Sequence, residues 1–167
     1  MKTVAAVLVS AVITSAALAQ APVDPPAPPD LTEAAVRAWL AQYIHANGWT
    51  FISSDDAGVT LGGPDGVVPV EKGLLQITIR HEYFQPREID GLAMRSNNQV
   101  WIIDCQNHRR KVTAMALASR SNLSGSLKTI GSGRADDVDW IENVPGSEAA
   151  HLETRACAAP KAGKPSG

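Results

Sequence analysis

The stretch LLQITIRHEYF, residues 74–84, decides the fold of this chain. Its apolar side chains fall on one face of an extended strand: Leu75, Ile77, Ile79 and Tyr83. The side chains between them are polar: Gln76, Thr78, Arg80 and Glu82. A period of two is the side-chain period of a β-strand, and one apolar face opposite one polar face is typical of an antiparallel strand. The stretch therefore predicts a half-buried antiparallel strand.

Shorter strand patterns lie on both sides of this stretch. The predicted strands cover residues 49–53, 59–61, 92–96, 100–105, 110–117 and 123–130. The turn-forming residues Asp55 to Gly58 separate the first two, a loop is predicted over Gly62 to Gly66, and residues 97–99 are predicted to separate two strands. Closely spaced strands with such turns predict an antiparallel meander.

Helical patterns lie at the two ends of the strand region. Asp30 and Glu33 have the spacing of a capping box, apolar residues follow at helical spacing, and Asn47-Gly48 is predicted to end this helix. Ser147 is the predicted N-cap of a second helix that runs to about Cys157. One helix, five to seven strands and one helix predict an α+β fold with an antiparallel sheet.

The first residues have the features of an export signal. Lys2 is followed by an uncharged run, and Ala17-Leu18-Ala19 has the small-residue pattern of a signal peptidase site. We expect a signal peptide over residues 1–19, cleavage near Ala19, and no transmembrane anchor after cleavage, because the run is short for a membrane span. The mature protein is expected in the periplasm, or secreted or on the cell surface.

Composition divides the remainder into a folded domain and two tails. Five prolines fall in residues 20–30, so this segment is predicted to be disordered, as is the tail over residues 158–167. Residues 31–157 are predicted to form a single globular domain. A formal net charge of −2 argues against a nucleic-acid partner held by a basic field.

The chain has two cysteines, Cys105 and Cys157. In an exported protein they most simply form one disulfide, which would stabilise the fold by about 4 kcal/mol in the chain-entropy model. The alternative is that Cys105 is a nucleophile with His108, three positions later, as its base.

The histidines, acids and glycines of the sequence form no complete metal or cofactor motif. The candidate metal ligands match no ligand spacing: His81, His108, His151, Asp136, Asp137 and Asp139. The glycines of residues 62–66 lack the residues of a phosphate-binding loop. We therefore expect no metal, no cofactor and no catalytic residues.

Arg109-Arg110-Lys111 is the one local run of basic residues. Such a run often marks a solvated turn. Three cations at one edge of a sheet could instead contact an acidic partner or a glycan, so these residues are the candidate partner contact.

A set of short motifs, in a fixed order, resembles the surface-adhesin protein E family of bacterial envelope proteins over about residues 74–157. The motifs are Arg80 and Glu82, Gly91 with Arg95-Ser96, residues 101–105, Arg109 or Arg110, residues 122–125, residues 140–147 and Ala156-Cys157. The resemblance implies a compact antiparallel sheet with a packed helix, a disulfide from the Asp104-Cys105 strand to the last helix, no enzymatic role, and homodimers.

Together these features predict an exported, non-enzymatic binding protein. Its expected partner is a host matrix protein or a protein of the envelope. The alternative is a periplasmic inhibitor or a stress-related accessory protein.

Overall fold

The computed structural model of the protein describes residues 23–70, 73–89, 91–131 and 135–158. Helix α1 covers Glu33–Tyr43 and helix α2 covers Glu148–Ala158, with a short 3-10 turn at Ala135–Asp137. The strands are β1 Thr50–Ser54, β2 Gly58–Pro69, β3 Leu75–Ile89, β4 Leu92–Asp104, β5 Arg109–Arg120, β6 Ser124–Ile130 and β7 Ile141–Glu142. The predicted signal peptide and residues 159–167 of the predicted tail lie outside the described residues.

All the strands belong to one antiparallel sheet. Strands β1 to β6 are neighbours in chain order, and β7 pairs with the first two residues of β5. This arrangement confirms the predicted α+β fold with an N-terminal and a C-terminal helix.

The two helices lie against opposite faces of the sheet. Leu152 and Ala156 of α2 pack with Ile77 and Ile79 of β3, so we call this side the α2 face. Val36 and Trp39 of α1 pack on the other side, the α1 face, with the residues Val59, Leu61 and Phe84.

Helix α1 packs on the polar face of β3, so the expectation that this face is solvated is wrong. Arg80 and Glu82 lie on the α1 face and are only 3% and 0% exposed. They are buried as an ion pair, and the backbone N–H of Asn122 donates to both carboxylate oxygens of Glu82 at 3.1 Å. Burial raises the pKa of Glu82, although the nearby Arg80 guanidinium opposes the shift.

Strand β4 is continuous, so the predicted break at residues 97–99 is wrong. Asn97 and Gln99 are buried within it. Gln99 Nε2 donates to Asn97 Oδ1 at 3.1 Å, and Asn97 Nδ2 donates to the Tyr83 hydroxyl at 2.7 Å. Amides whose hydrogen bonds are made inside the protein can lie within a strand, whereas composition alone suggests a turn.

The glycine-rich segment was also predicted as a loop and belongs instead to β2. Its pairing with β3 is irregular between Gly62 and Val67, as at a β-bulge. A Cβ on Gly63 would lie 2.9 Å from Thr78 Cβ, so close strand approach requires glycine there.

The predicted helix starts differ in accuracy. Thr32, not Asp30, is the N-cap of α1: its hydroxyl accepts from Ala35 N at 3.3 Å, while Asp30 accepts from Thr32 N at 2.9 Å. The helix ends at Tyr43, before Asn47-Gly48. For α2, Ser147 accepts from Ala150 N at 3.3 Å, as an N-cap does.

Residues 24–26 of the proline-rich segment make defined contacts that composition did not predict. Trp39 Nε1 donates to Pro26 O at 2.6 Å, and Arg95 donates to Pro25 O at 3.2 Å. Asp24 accepts from Ser121 N at 3.2 Å. These bonds attach the chain entering α1 to the α1 face.

The two cysteines form the predicted disulfide. Cys105, just after β4, is bonded to Cys157 in the last turn of α2, with Cα atoms 5.9 Å apart. Cys105 therefore carries no thiol, and the alternative of a Cys105 nucleophile is wrong. His108 Nδ1 instead lies 2.7 Å from Glu153 Oε1.

Candidate functional site

The α2 face changes from apolar to polar at the start of α2. On the α2 face of β3, the apolar Ile79 is followed by His81 and Tyr83. On the same face of β4, the side chain next to Trp101 is that of Gln99. These polar side chains line a concave cleft of about 480 Å³, which we call the α2-face cleft. The first turn of α2 forms one of its walls.

A chain of hydrogen bonds fixes the floor of the cleft. Trp101 Nε1 donates to Gln99 Oε1 at 2.8 Å, and Gln99 is bonded to Asn97 as described above. Asn97 Oδ1 also lies 3.0 Å from His81 Nδ1. Because each planar group is held by the next, the floor presents a preorganised polar surface.

His81 links the floor to α2. Its Nε2 lies 3.5 Å from Glu148 Oε2, and Glu148 also accepts a hydrogen bond from the Thr60 hydroxyl. Burial alone would lower the pKa of His81, but its hydrogen bonds to Glu148 and Asn97 outweigh burial and raise it. The hydrogen bond from His81, followed by that from Thr60, holds the pKa of Glu148 below its usual value in spite of burial.

Each end of the cleft has one arginine, and one end also has a carboxylate. Asp55, in the turn between β1 and β2, and Arg87 of β3 lie at one end. Arg110 of β5 lies at the other, whereas the side chain of Glu142 in β7, which pairs with Arg109, belongs to the α1 face. The guanidinium groups rest on aromatic rings: Arg87 is 5.4 Å from the Tyr83 centroid, and Arg110 is 4.7 Å from that of Trp101.

Exposed apolar side chains form the lip beside Arg110. Ile141 is 45% exposed and Val144 is 66% exposed, and both line the cleft. Apolar, aromatic and arginine side chains are the residues that contribute most to protein interfaces. The chemistry that this arrangement supports is recognition by shape, charge and hydrogen bonds.

The structure divides the predicted basic run between the two faces of β5. Arg110 lies on the α2 face in the cleft. Arg109 and Lys111 point to the α1 face, 4.4 and 4.8 Å from the Trp140 ring, and Arg109 pairs with Asp104 at 2.9 Å. Alternation along a strand explains the division, since three consecutive side chains cannot share one face.

The candidate metal ligands are not brought together. His81 pairs with Glu148 and His108 with Glu153, while His151, Asp136, Asp137 and Asp139 are exposed. In the described ranges, no three His, Cys, Asp or Glu side chains form a group that could hold a metal ion.

The fold and the cleft define a class of protein: a small disulfide-bonded α+β domain built on one long antiparallel sheet with a helix on each face. The surface-adhesin protein E family model matches residues 49–158, and the chain belongs to this family. No curated protein sequence matches significantly.

Solved structures with a similar fold are those of protein E from Haemophilus influenzae. The structure from a non-typeable strain has a TM-score of 0.50 at 10% identity and covers 81% of this chain and 83% of that one. Crystal form II has a TM-score of 0.50 at 10% identity, with 82% of this chain and 97% of that one covered. At this identity the likeness concerns the fold, and homodimerisation stays a prediction.

The described helices are also relevant to membrane association. Neither α1 nor α2 is long and apolar enough to span a membrane.

Proposed function

We propose that this protein is an exported, non-enzymatic adhesin that binds a protein of the host matrix or the envelope through the α2-face cleft. Membership of the surface-adhesin protein E family supports the class of function. The observation that carries the choice of surface is the exposed pair Ile141 and Val144 beside Arg110 in a preorganised cleft.

Export by a signal peptide cut before Gln20 belongs to the same proposal. It is supported by the pattern of residues 1–19 and by the disulfide, since such bonds persist in oxidising compartments. The intact mass of the protein recovered from its producing cells tests the cleavage site.

Of the three predicted contact residues, Arg110 is the one we assign to this partner surface. Arg109 and Lys111 lie on the other face, against Trp140. A partner bound in the cleft therefore depends on Arg110 and leaves the other two uncovered.

The test is binding of the immobilised mature domain to a panel of purified extracellular-matrix proteins and envelope proteins. Val144 and Leu127 offer a matched pair of substitutions, because they are 66% and 65% exposed and Leu127 lies on β6, outside the cleft. We expect Val144→Asp to abolish binding that Leu127→Asp retains. Equal loss in both variants, or no binding to any member of the panel, would contradict the proposal.

A further inference from the structure

We propose that the α2-face cleft recognises a protein segment in which an acidic side chain lies next to an apolar one. Arg110 binds the carboxylate, and Ile141 and Val144 contact the apolar side chain. This inference rests on the proposed function and specifies the part of the protein partner that enters the cleft.

Arg110 lacks an acidic hydrogen-bond partner within the part of the chain that the structure describes. Its Nη1 donates to an amide oxygen, Asn143 Oδ1, at 2.5 Å, and among the described residues its buried Nε has no acceptor. Burial lowers the pKa of Arg110, although the nearby Glu148 carboxylate opposes the shift. A carboxylate of the partner would supply the charged acceptor that this guanidinium lacks.

The carboxylates of the cleft are already engaged by other groups. Glu148 is paired with His81, and Asp55 Oδ1 accepts from two backbone N–H groups of its own turn at 2.8 and 3.0 Å. Asp55 also lies at the far end of the cleft, where it shares its surroundings with the exposed Arg87. An acidic group of the partner therefore meets the less compensated positive charge at Arg110.

Arg110 is also held in position before any partner binds. Its guanidinium rests on Trp101, with a distance of 4.7 Å to the ring centroid. The amide that accepts its hydrogen bond is fixed in turn, because Asn143 Nδ2 donates to Glu153 Oε2 at 2.7 Å. A guanidinium positioned in this way loses little freedom when it binds a carboxylate.

The exposed apolar side chains lie directly beside Arg110. Ile141 is its partner in the register of β5 and β7, so their Cβ atoms are about 5 Å apart on one face. Val144 follows three residues later in the chain, and it is more exposed than Ile141. Side chains two positions apart in an extended segment also share one face, at a distance of about 7 Å. An acidic residue with an apolar residue two positions away therefore matches this part of the cleft.

The experiment titrates three acetylated and amidated hexapeptides into the ¹⁵N-labelled mature domain. The parent peptide has a glutamate and, two positions later, a leucine; one variant peptide has glutamine for the glutamate, and the other has serine for the leucine. NMR signals of the Arg110 Nε–H and the Trp101 indole N–H report binding at the site. We expect the parent to have a dissociation constant about fivefold lower than either variant peptide.

Variants of the protein test which residue contacts which part of the peptide. Arg110→Gln should abolish the preference for glutamate over glutamine and keep the preference for leucine over serine. Ile141→Ser should reduce the preference for leucine and keep that for glutamate. Arg37→Gln, on α1, removes a cation from the other side of the sheet and is the matched control. Circular dichroism checks that each variant is folded.

Three results would overturn the inference. They are no binding of the parent peptide, equal dissociation constants for the glutamate and glutamine peptides, and a glutamate preference that Arg87→Gln abolishes and Arg110→Gln keeps. Its failure is distinguishable from failure of the proposed function. If Val144→Asp abolishes binding of a protein from the panel while the peptides show no preference for glutamate, the proposed function stands and this inference falls.

Discussion

Arg80 and Glu82 show how single residues on the polar face of β3 can belong to the core. Both side chains are buried on the α1 face and pair with each other. The pattern of the sequence placed them correctly on one face of the strand. It could not show that α1 covers that face, because burial of a charge depends on a partner from elsewhere in the chain.

We expect Arg80→Met to lower the free energy of unfolding by about 3–5 kcal/mol, because it leaves the Glu82 carboxyl buried without its partner. The double variant Arg80→Met/Glu82→Leu should recover most of this loss. Urea unfolding measures both, and a single variant as stable as the wild type would contradict the account.

His81 and Glu148 give the protein a pH-dependent contribution to stability. The pKa of His81 is raised above its usual 6.5, so its contribution is complete below 6.5 and is lost as pH rises through the folded pKa. The pKa of Glu148 is lowered below its usual 4.5, so its contribution is complete above 4.5 and is lost on further acidification. The pair therefore contributes fully between about pH 4.5 and 6.5.

The variant His81→Gln tests this window. Relative to the variant, the wild type should lose melting temperature between pH 6.5 and 9, because the variant lacks the raised pKa of His81. A difference between the two proteins that does not change with pH would show that His81 stays in one protonation state.

At the scale of elements, α2 is attached to the sheet at both ends. Its first turn is held by the Glu148 contacts with His81 and Thr60, and its last turn by the disulfide to Cys105. Between them, Leu152 and Ala156 pack on β3 and β4. The cleft exists because this attachment begins only at Glu148 and leaves the polar part of the α2 face open.

Cys105→Ser should lower the free energy of unfolding by about 2–4 kcal/mol, because the unfolded chain loses the constraint of a closed loop. Chemical unfolding with and without reductant measures the effect. Reductant should destabilise the wild type and leave the variant unchanged; the same stability for oxidised and reduced wild type would contradict the prediction.

The sequence predicted the elements better than their limits. The period of β3, the Ser147 cap of α2 and the disulfide were predicted correctly, because each depends on local spacing or on a single pairing. The continuity of β4 and β2 was not, because Asn97, Gln99 and the glycines of residues 62–66 are kept in strands by neighbouring strands. The sequence analysis did not predict the cleft. Its sign in the sequence is the change from apolar Ile79 to polar His81 on one face of β3, and this change can be interpreted only when the position of α2 is known.

At the scale of the whole molecule, the two faces of the sheet differ in what they hold. The α1 face holds a buried ion pair and the contacts of residues 24–26, while the α2 face holds the cleft. If the protein is displayed as an adhesin, protease added to intact producing cells should digest it while a periplasmic control protein stays protected. Protection of both would place its partner inside the envelope.

The most direct test of the central claim is site-specific photocrosslinking to a matrix protein from the panel. A benzoylphenylalanine placed at Val144 should crosslink to the bound partner, and one placed at the equally exposed Leu127 should not. Crosslinking from Leu127 and none from Val144 would contradict the assignment of the cleft as the binding surface.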